Sequence, residues 1–131
     1  MVDEFTREAL AIEVARSIDA DATVAVLKRL AAHRGAPPFI RMDKGPELTA
    51  AAVRDWCRFT GAGTSYIDPG SPWQNPWAES FNGKLRDELL ACEVFDTLLE
   101  AKVLTEDFRI DYNWNRPHSA LGNQPPAKFA A

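Results

Sequence analysis

An α/β fold with a mixed sheet is the expectation for this chain, and three observations carry it. Short apolar runs of strand length alternate with segments of helical period. Gly and Pro clusters punctuate most junctions. The N-terminal segment alternates large apolar residues with small or charged ones, as an antiparallel arm does. The chain has 131 residues, 46% of them hydrophobic, which is material for one domain with a core of its own.

The elements follow in order. From Val2 to Ala15, Leu10, Ile12 and Val14 alternate against Ala11, Glu13 and Ala15, the pattern of a strand serving as second arm of a hairpin turned around Thr6, Arg7 and Glu8. Asp19 and Asp21 offer N-caps for a helix through Thr23 to about His33, with Val24, Leu27, Leu30 and Ala31 on one face and Gly35, Pro37 and Pro38 ending it. Phe39 to Met42 is a short buried strand that stops at the turn signal Asp43, Lys44, Gly45, Pro46. Thr49 can cap a helix to Thr60 that turns Val53, Trp56, Cys57 and Phe59 inward and closes at Gly61 to Gly63. Thr64 to Ile67 is another short strand. Helices from about Pro76 to Leu90 and from Leu98 to Trp114 complete the pattern. Residues 1–115 then form the core, and 116–131, with Pro117, Pro125 and Pro126, read as a tail without an element.

A net charge of −4 and a pI near 5.1 argue against a protein that coats nucleic acid, since such binding neutralises phosphates with Lys and Arg. They leave room for a metal-dependent nuclease, whose acids are neutralised by the ion. Cys57 and Cys92 stand alone, without the spacing of a zinc site or a disulfide framework, and are expected in the core. No apolar run reaches membrane-spanning length and the N-terminus lacks the marks of a signal peptide, so the expected address is cytoplasmic.

Two carboxylates draw the chemistry together. Asp43 ends a predicted strand and Glu79 lies in the first turn of a predicted helix, with 35 residues between them. Strand ends are where chemistry collects in open α/β sheets. A pair of hard carboxylate oxygens suits Mg²⁺ or Mn²⁺, and two such ions support in-line phosphoryl transfer. A turn-starting Asp and a helix-favouring Glu account for the same two residues, so spacing alone leaves both readings open.

Four stretches narrow the choice: "VDEFTREALAIEV", "DKGPELTAAAVRDWC", "PGSPWQNPWAESFNGKLRDEL" and "YNWNRPHSALGNQPPAKF". With their spacing they cover essentially the whole chain, which resembles the catalytic core of the retroviral-integrase superfamily and most closely the transposases of IS3-type insertion sequences. The resemblance implies an RNase H-like (ribonuclease H) fold, a mixed sheet flanked by helices. It also implies DNA cleavage and strand transfer by an Asp, Asp, Glu triad with two divalent ions, Mg²⁺ or Mn²⁺. Carried onto this chain, the second Asp is Asp43 and the Glu is Glu79, both catalytic and metal-binding. The partners implied are the ends of a mobile element, target DNA and further transposase subunits in a homo-oligomer, with the protein on the bacterial nucleoid when bound and no membrane involved.

The same resemblance places the loop before Glu79 beside the active site and against DNA. Trp73, Gln74, Asn75 and Trp77 are then candidates for base stacking and backbone hydrogen bonds, with capping of the core as the alternative for the tryptophans. Asn82 and Arg86, near the Glu79 face, with Lys84, Arg116 and His118, complete the DNA-binding candidates. His118 matches a recurrent family position, which implies a role in organising the tail near the DNA path, with a packed or exposed histidine at a proline turn as the alternative.

Two departures qualify these expectations. In the family the first catalytic Asp lies on a central strand upstream of the "VDEFTRE" segment, whereas this sequence begins at that segment. The expectation is a core lacking that strand and inactive by itself, or alternatively a non-catalytic remnant that binds DNA or intact transposase and interferes with transposition, with Asp3 serving the hairpin rather than a metal. Lys44 stands where the family usually has Asn after the second Asp. It can lower the Asp43 pKa, compete with a metal, or point to solvent.

Overall fold

The computed structural model describes residues 1–43, 47–67 and 76–131, with the backbone alone for 43, 47, 48 and 65–67. Five α-helices are described, α1 (Ala20–Arg34), α2 (Glu47–Thr60), α3 (Pro76–Leu85), α4 (Leu98–Asn115) and α5 (Pro126–Ala130), and two strands, β1 (Phe39–Asp43) and β2 (Gly63–Ile67). The chain divides into two compact units, residues 17–76 and residues 1–16 with 77–131.

Residues 17–76 hold a βαβ unit preceded by a helix. The Asp19 side chain caps α1 by accepting from the Ala22 N–H at 2.8 Å, and His33 and Arg34 sit in the last turn where the helix dipole favours cations. Gly35 takes φ +81°, a conformation L side chains rarely adopt, and its N–H returns to the Ala31 carbonyl at 2.8 Å. β1 and β2 pair in parallel, in register from Phe39 with Gly63 to Asp43 with Ile67. Successive side chains of a strand point to opposite faces, so Ile40 and Met42 share one face. Both pack against a core of Leu27, Val53, Trp56 and Cys57, supplied by α1 and α2.

Several expectations change here. The sheet among the described residues is parallel only, because the N-terminal segment contributes a single antiparallel bridge, Val2 with Ala9, rather than a strand to Ala15. Phe39 is 73% exposed instead of buried, with its ring over Gly63, where an added Cβ would come within 2.5 Å of it. Thr49 does not cap α2, which starts two residues earlier. Phe59 points away at 91% exposure, since it lies about 100° or more around the helix from Val53 and Cys57. Cys57 is in the core as expected, while Cys92 is exposed.

The other unit joins both chain ends. Thr97 caps α4 by accepting from the Glu100 N–H at 3.0 Å, and Glu100 accepts from the Asp96 N–H, a form of the capping box. The expected helix from Pro76 to Leu90 is α3 followed by a π-helical turn, Arg86–Leu90. The buried Phe81, the half-buried Leu85 and the buried Leu89 recur every four residues, a spacing that drifts around an α-helix of 3.6 residues per turn, and the wider π turn offsets that drift. Phe81 meets Tyr112 edge-on with ring centroids 4.9 Å apart, and Phe108 joins them.

The terminal residues, expected as an ordered or half-ordered tail without an element, do contain elements. Ser119–Leu121 form a 3₁₀ turn, α5 follows, and Leu121, Pro126 and Ala127 are buried.

Candidate functional site

Asp43 is the last residue of β1, at the carboxyl end of the parallel pair. Glu79 is exposed in the first turn of α3, where the helix dipole favours an acid. The two fall in different units. Trp73, Gln74, Asn75 and Lys44 lie outside the described residues. Among the described residues, no three His, Cys, Asp or Glu side chains gather as a metal cluster, and the Asp43 carboxyl group lies outside that set. As a donor set, two carboxylates are the hard oxygen ligands that a small divalent cation takes.

Asn82 and Arg86 are both exposed on the helix that carries Glu79. Arg86 makes a 3.6 Å ion pair with Asp87, with both side chains at least 70% exposed, so the pair binds weakly and leaves the guanidinium open to an anion. Trp77 is half-buried, and the Arg7 guanidinium lies 4.7 Å from its ring centroid. Lys84 is half-buried with its ammonium 5.7 Å from the centroid of Tyr112.

Arg116 is engaged within the fold. It pairs with Glu88, lies 3.5 Å from Asp111, and its guanidinium carbon is 5.3 Å from the Phe108 centroid. The hydrogen bond from Arg116 is the main cause that holds the Glu88 carboxyl below its ordinary range, and the reciprocal bond raises the Arg116 pKa. This arginine ties the π turn to α4 rather than standing ready for a phosphate.

The His118 backbone anchors the segment after α4. Its N–H donates to the Gln124 carbonyl at 3.2 Å, and its carbonyl accepts from Asn123 and Leu121. The half-buried ring meets Tyr112 edge-on at 5.0 Å, and its Nε2 is enclosed without a hydrogen-bond partner. Burial, then the charges of Lys84, Arg7 and Arg116, lower its pKa. Asp3 serves the hairpin: its carboxylate accepts from the N–H groups of Phe5 and Thr6, both at 2.9 Å.

Sequence reasoning missed Asn113. Buried on α4, its amide accepts from the Ala9 N–H at 2.7 Å and donates to the Ala9 carbonyl at 2.9 Å, so one side chain replaces a neighbouring strand for a fully buried residue. Arg109 adds a bond to the same carbonyl at 3.2 Å. The signal lay inside the quoted "YNWNRPHSAL" stretch. Its Tyr112, Asn113, Arg116 and His118 are an internal frame holding the N-terminal segment, the π turn and the C-terminal residues on α4.

No described helix is long and apolar enough to cross a membrane. Two family models described as integrase core domain match the chain, over residues 1–72 and 60–126. An uncharacterized 39.2 kDa protein of insertion element IS476 from Xanthomonas euvesicatoria is 44% identical over all 131 residues, which span 38% of its length. An uncharacterized 31.7 kDa protein of insertion element IS407 from Burkholderia multivorans is likewise 44% identical over the whole chain, which spans 47% of it. The transposase for insertion sequence element IS904 from Lactococcus lactis is 31% identical over 91 residues, 69% of this chain and 36% of that protein. The chain thus spans less than half the length of these relatives. With family matches that together run from residue 1 to residue 126, the chain belongs to the integrase core domain family.

Proposed function

We propose that this chain is part of a transposase and serves DNA transposition by metal-dependent strand cleavage and strand transfer, acting on element ends and target DNA within a homo-oligomer. The observation that carries the reading is the match of both halves of the chain to the integrase core, together with the name of the IS904 relative. We infer with it that β1 and β2 belong to an RNase H-like sheet.

Asp43 and Glu79 are the metal-binding and catalytic carboxylates in this reading. A strand end and a helix first turn are both rigid supports, which suits groups that must hold a cation without reorganising. A bound Mg²⁺ or Mn²⁺ supplies Lewis acidity and a more acidic water or hydroxyl for phosphoryl transfer. The chain's own part is to supply oxygen ligands at Asp43 and Glu79 and to hold DNA through exposed Asn82 and Arg86, with Trp73, Gln74, Asn75 and Trp77 as stacking and hydrogen-bonding candidates ahead of them. Lys84 and His118 add a further contact, and Arg116 supports the helix from behind.

The experiment is a Mn²⁺ titration followed by NMR, paired with a transposition assay of the protein that contains this chain. Mn²⁺ should broaden the amide signals around Glu79, and either Asp43→Asn or Glu79→Gln should abolish that broadening. Transposition should fall by roughly a hundredfold or more in each variant, since removing a ligand forfeits several kcal/mol of transition-state stabilisation. Broadening that survives both substitutions would exclude these two residues as the metal ligands.

A further inference from the structure

Arg7, Lys84 and His118, distant in sequence, are gathered in one unit around the rings of Trp77 and Tyr112. The Lys84 ammonium is 5.7 Å from the Tyr112 centroid, and the His118 ring abuts the same Tyr112 ring at 5.0 Å. Arg7 lies over Trp77 at 4.7 Å, and its charge reaches both Tyr112 and His118.

The charge balance of this cluster sets it apart. Arg109 is paired with Glu106, and Arg116 with Glu88 and Asp111. Among the described residues neither Arg7 nor Lys84 takes part in an ion pair: the Arg7 guanidinium donates to the backbone carbonyl of Glu4, and Glu88, the acid that feels Lys84, is already held by Arg116. His118 Nε2, enclosed beside them, has no hydrogen-bond partner among the described residues. Arg7 and Lys84 thus bring two cations without an ion pair of their own to the surroundings of the His118 ring, an arrangement that an anion would complete.

We propose that Arg7 and Lys84, beside the His118 ring, form a phosphate-binding pocket that seats one backbone phosphate of a DNA strand. The inference rests on the reading above that the chain acts on DNA, and it deepens that reading by assigning a contact to Arg7. The arginine fork offers paired N–H donors and the lysine a point charge, and the His118 ring beside them reports on what they bind. Lys84 has no hydrogen bond or ion pair to break among the described residues, so its flexible stem can shift as the phosphate enters. A single phosphate contact of this kind fixes register on the strand and carries no base preference.

The test is fluorescence anisotropy of labelled random-sequence duplex DNA with the whole chain over a salt series, comparing Arg7→Gln, Lys84→Gln and the control Arg58→Gln. Each pocket variant should weaken binding several-fold for every sequence and reduce the slope of log K against log salt by about one, while the control changes neither. The His118 ring nitrogen signals should move as DNA is added. Protection of the Ala9 amide from exchange shows that each variant keeps its fold.

Affinity and salt slope unchanged in both pocket variants would overturn the proposal, as would absence of DNA binding by the unsubstituted chain. A His118 response to inorganic phosphate but not to DNA would assign the pocket to a small phosphate instead. Self-association lost in Lys84→Gln without DNA would assign it to a carboxylate of another copy. Asp43→Asn and Glu79→Gln should leave the His118 response intact, so failure of the metal reading and failure of the pocket are separable.

Discussion

In residues 17–76 the core is apolar and close in sequence: Leu27, Val53, Trp56 and Cys57 meet Ile40 and Met42 within a stretch that runs helix, strand, helix, strand. In the unit made from the two chain ends, Phe81, Phe108 and Tyr112 supply the apolar part, but Ala9 is held by a polar clamp from Asn113 and Arg109. The first kind of core is set by hydrophobic burial, which is non-directional and tolerates adjustment. The second depends on hydrogen bonds that lose their value when one partner goes, because the group left behind remains buried and unsatisfied.

The largest effect should come from Trp56→Ala, which removes a side chain 7% exposed at the centre of the apolar core. A loss of about 3–5 kcal/mol is expected, measured by denaturant unfolding, with exchange increasing first at amides of α1 and α2. A smaller loss would mean that this core collapses around the cavity.

Asn113→Ala comes next. It strands the Ala9 N–H, while Arg109 still serves the carbonyl, so the expected cost is about 1–3 kcal/mol. Exchange of the Ala9 amide should rise sharply while amides of β1 and β2 stay protected. Asn113→Asp is the sharper variant, since a carboxylate still accepts from the N–H but faces the carbonyl with no donor. If Asn113→Ala unfolds both units at once, the contrast between them fails as an account of stability.

The third effect is a pH dependence confined to the chain-end unit. The folded pKa of His118 is lowered below its unfolded value, so stability is full above about pH 6.5 and declines as pH falls through that value toward the folded pKa. The charges facing it, Lys84, Arg7 and Arg116, all oppose protonation. Thermal melts between pH 5 and 7.5 should show the decline, and His118→Phe should remove it. A decline that persists in the variant would assign the dependence elsewhere. Smallest of all, Phe59→Ser should change stability by less than about 0.5 kcal/mol in the same melts, because the side chain is 91% exposed.

Local signals made much of the apolar unit legible. Asp19 and Gly35 bound α1, the period of Val53, Trp56 and Cys57 gives the inward face of α2, and apolar runs mark both strands near their observed limits. The early start of α2 and the outward Phe59 escaped because composition alone does not fix the angle of a helix to its core. In the other unit α4 was legible from its period and length, whereas the clamp was not. Nothing local in "YNWN" distinguishes a buried asparagine bonded to a residue 104 positions away from one facing water. Likewise Arg116 resembled a phosphate ligand until Glu88 and Asp111 were found around it. Of the candidate site, the sequence itself indicated Asp43 at a strand end and Glu79 in a helix first turn, and both elements are present. The convergence of Arg7 on Trp77, near Lys84 and His118, depends on the long-range fold and could not be read from spacing.

The Asn113 clamp also has a consequence for vectorial synthesis. Ala9 leaves the ribosome 104 residues before its partner does, an interval of about 5–20 seconds at roughly 5–20 residues per second. Once residue 76 has emerged the contacts of residues 17–76 are available, while Ala9 still has neither Asn113 nor Arg109 to pair with. The nascent N-terminal segment therefore presents an open backbone edge, the kind of surface that pairs with other extended chains, until α4 emerges to cover it.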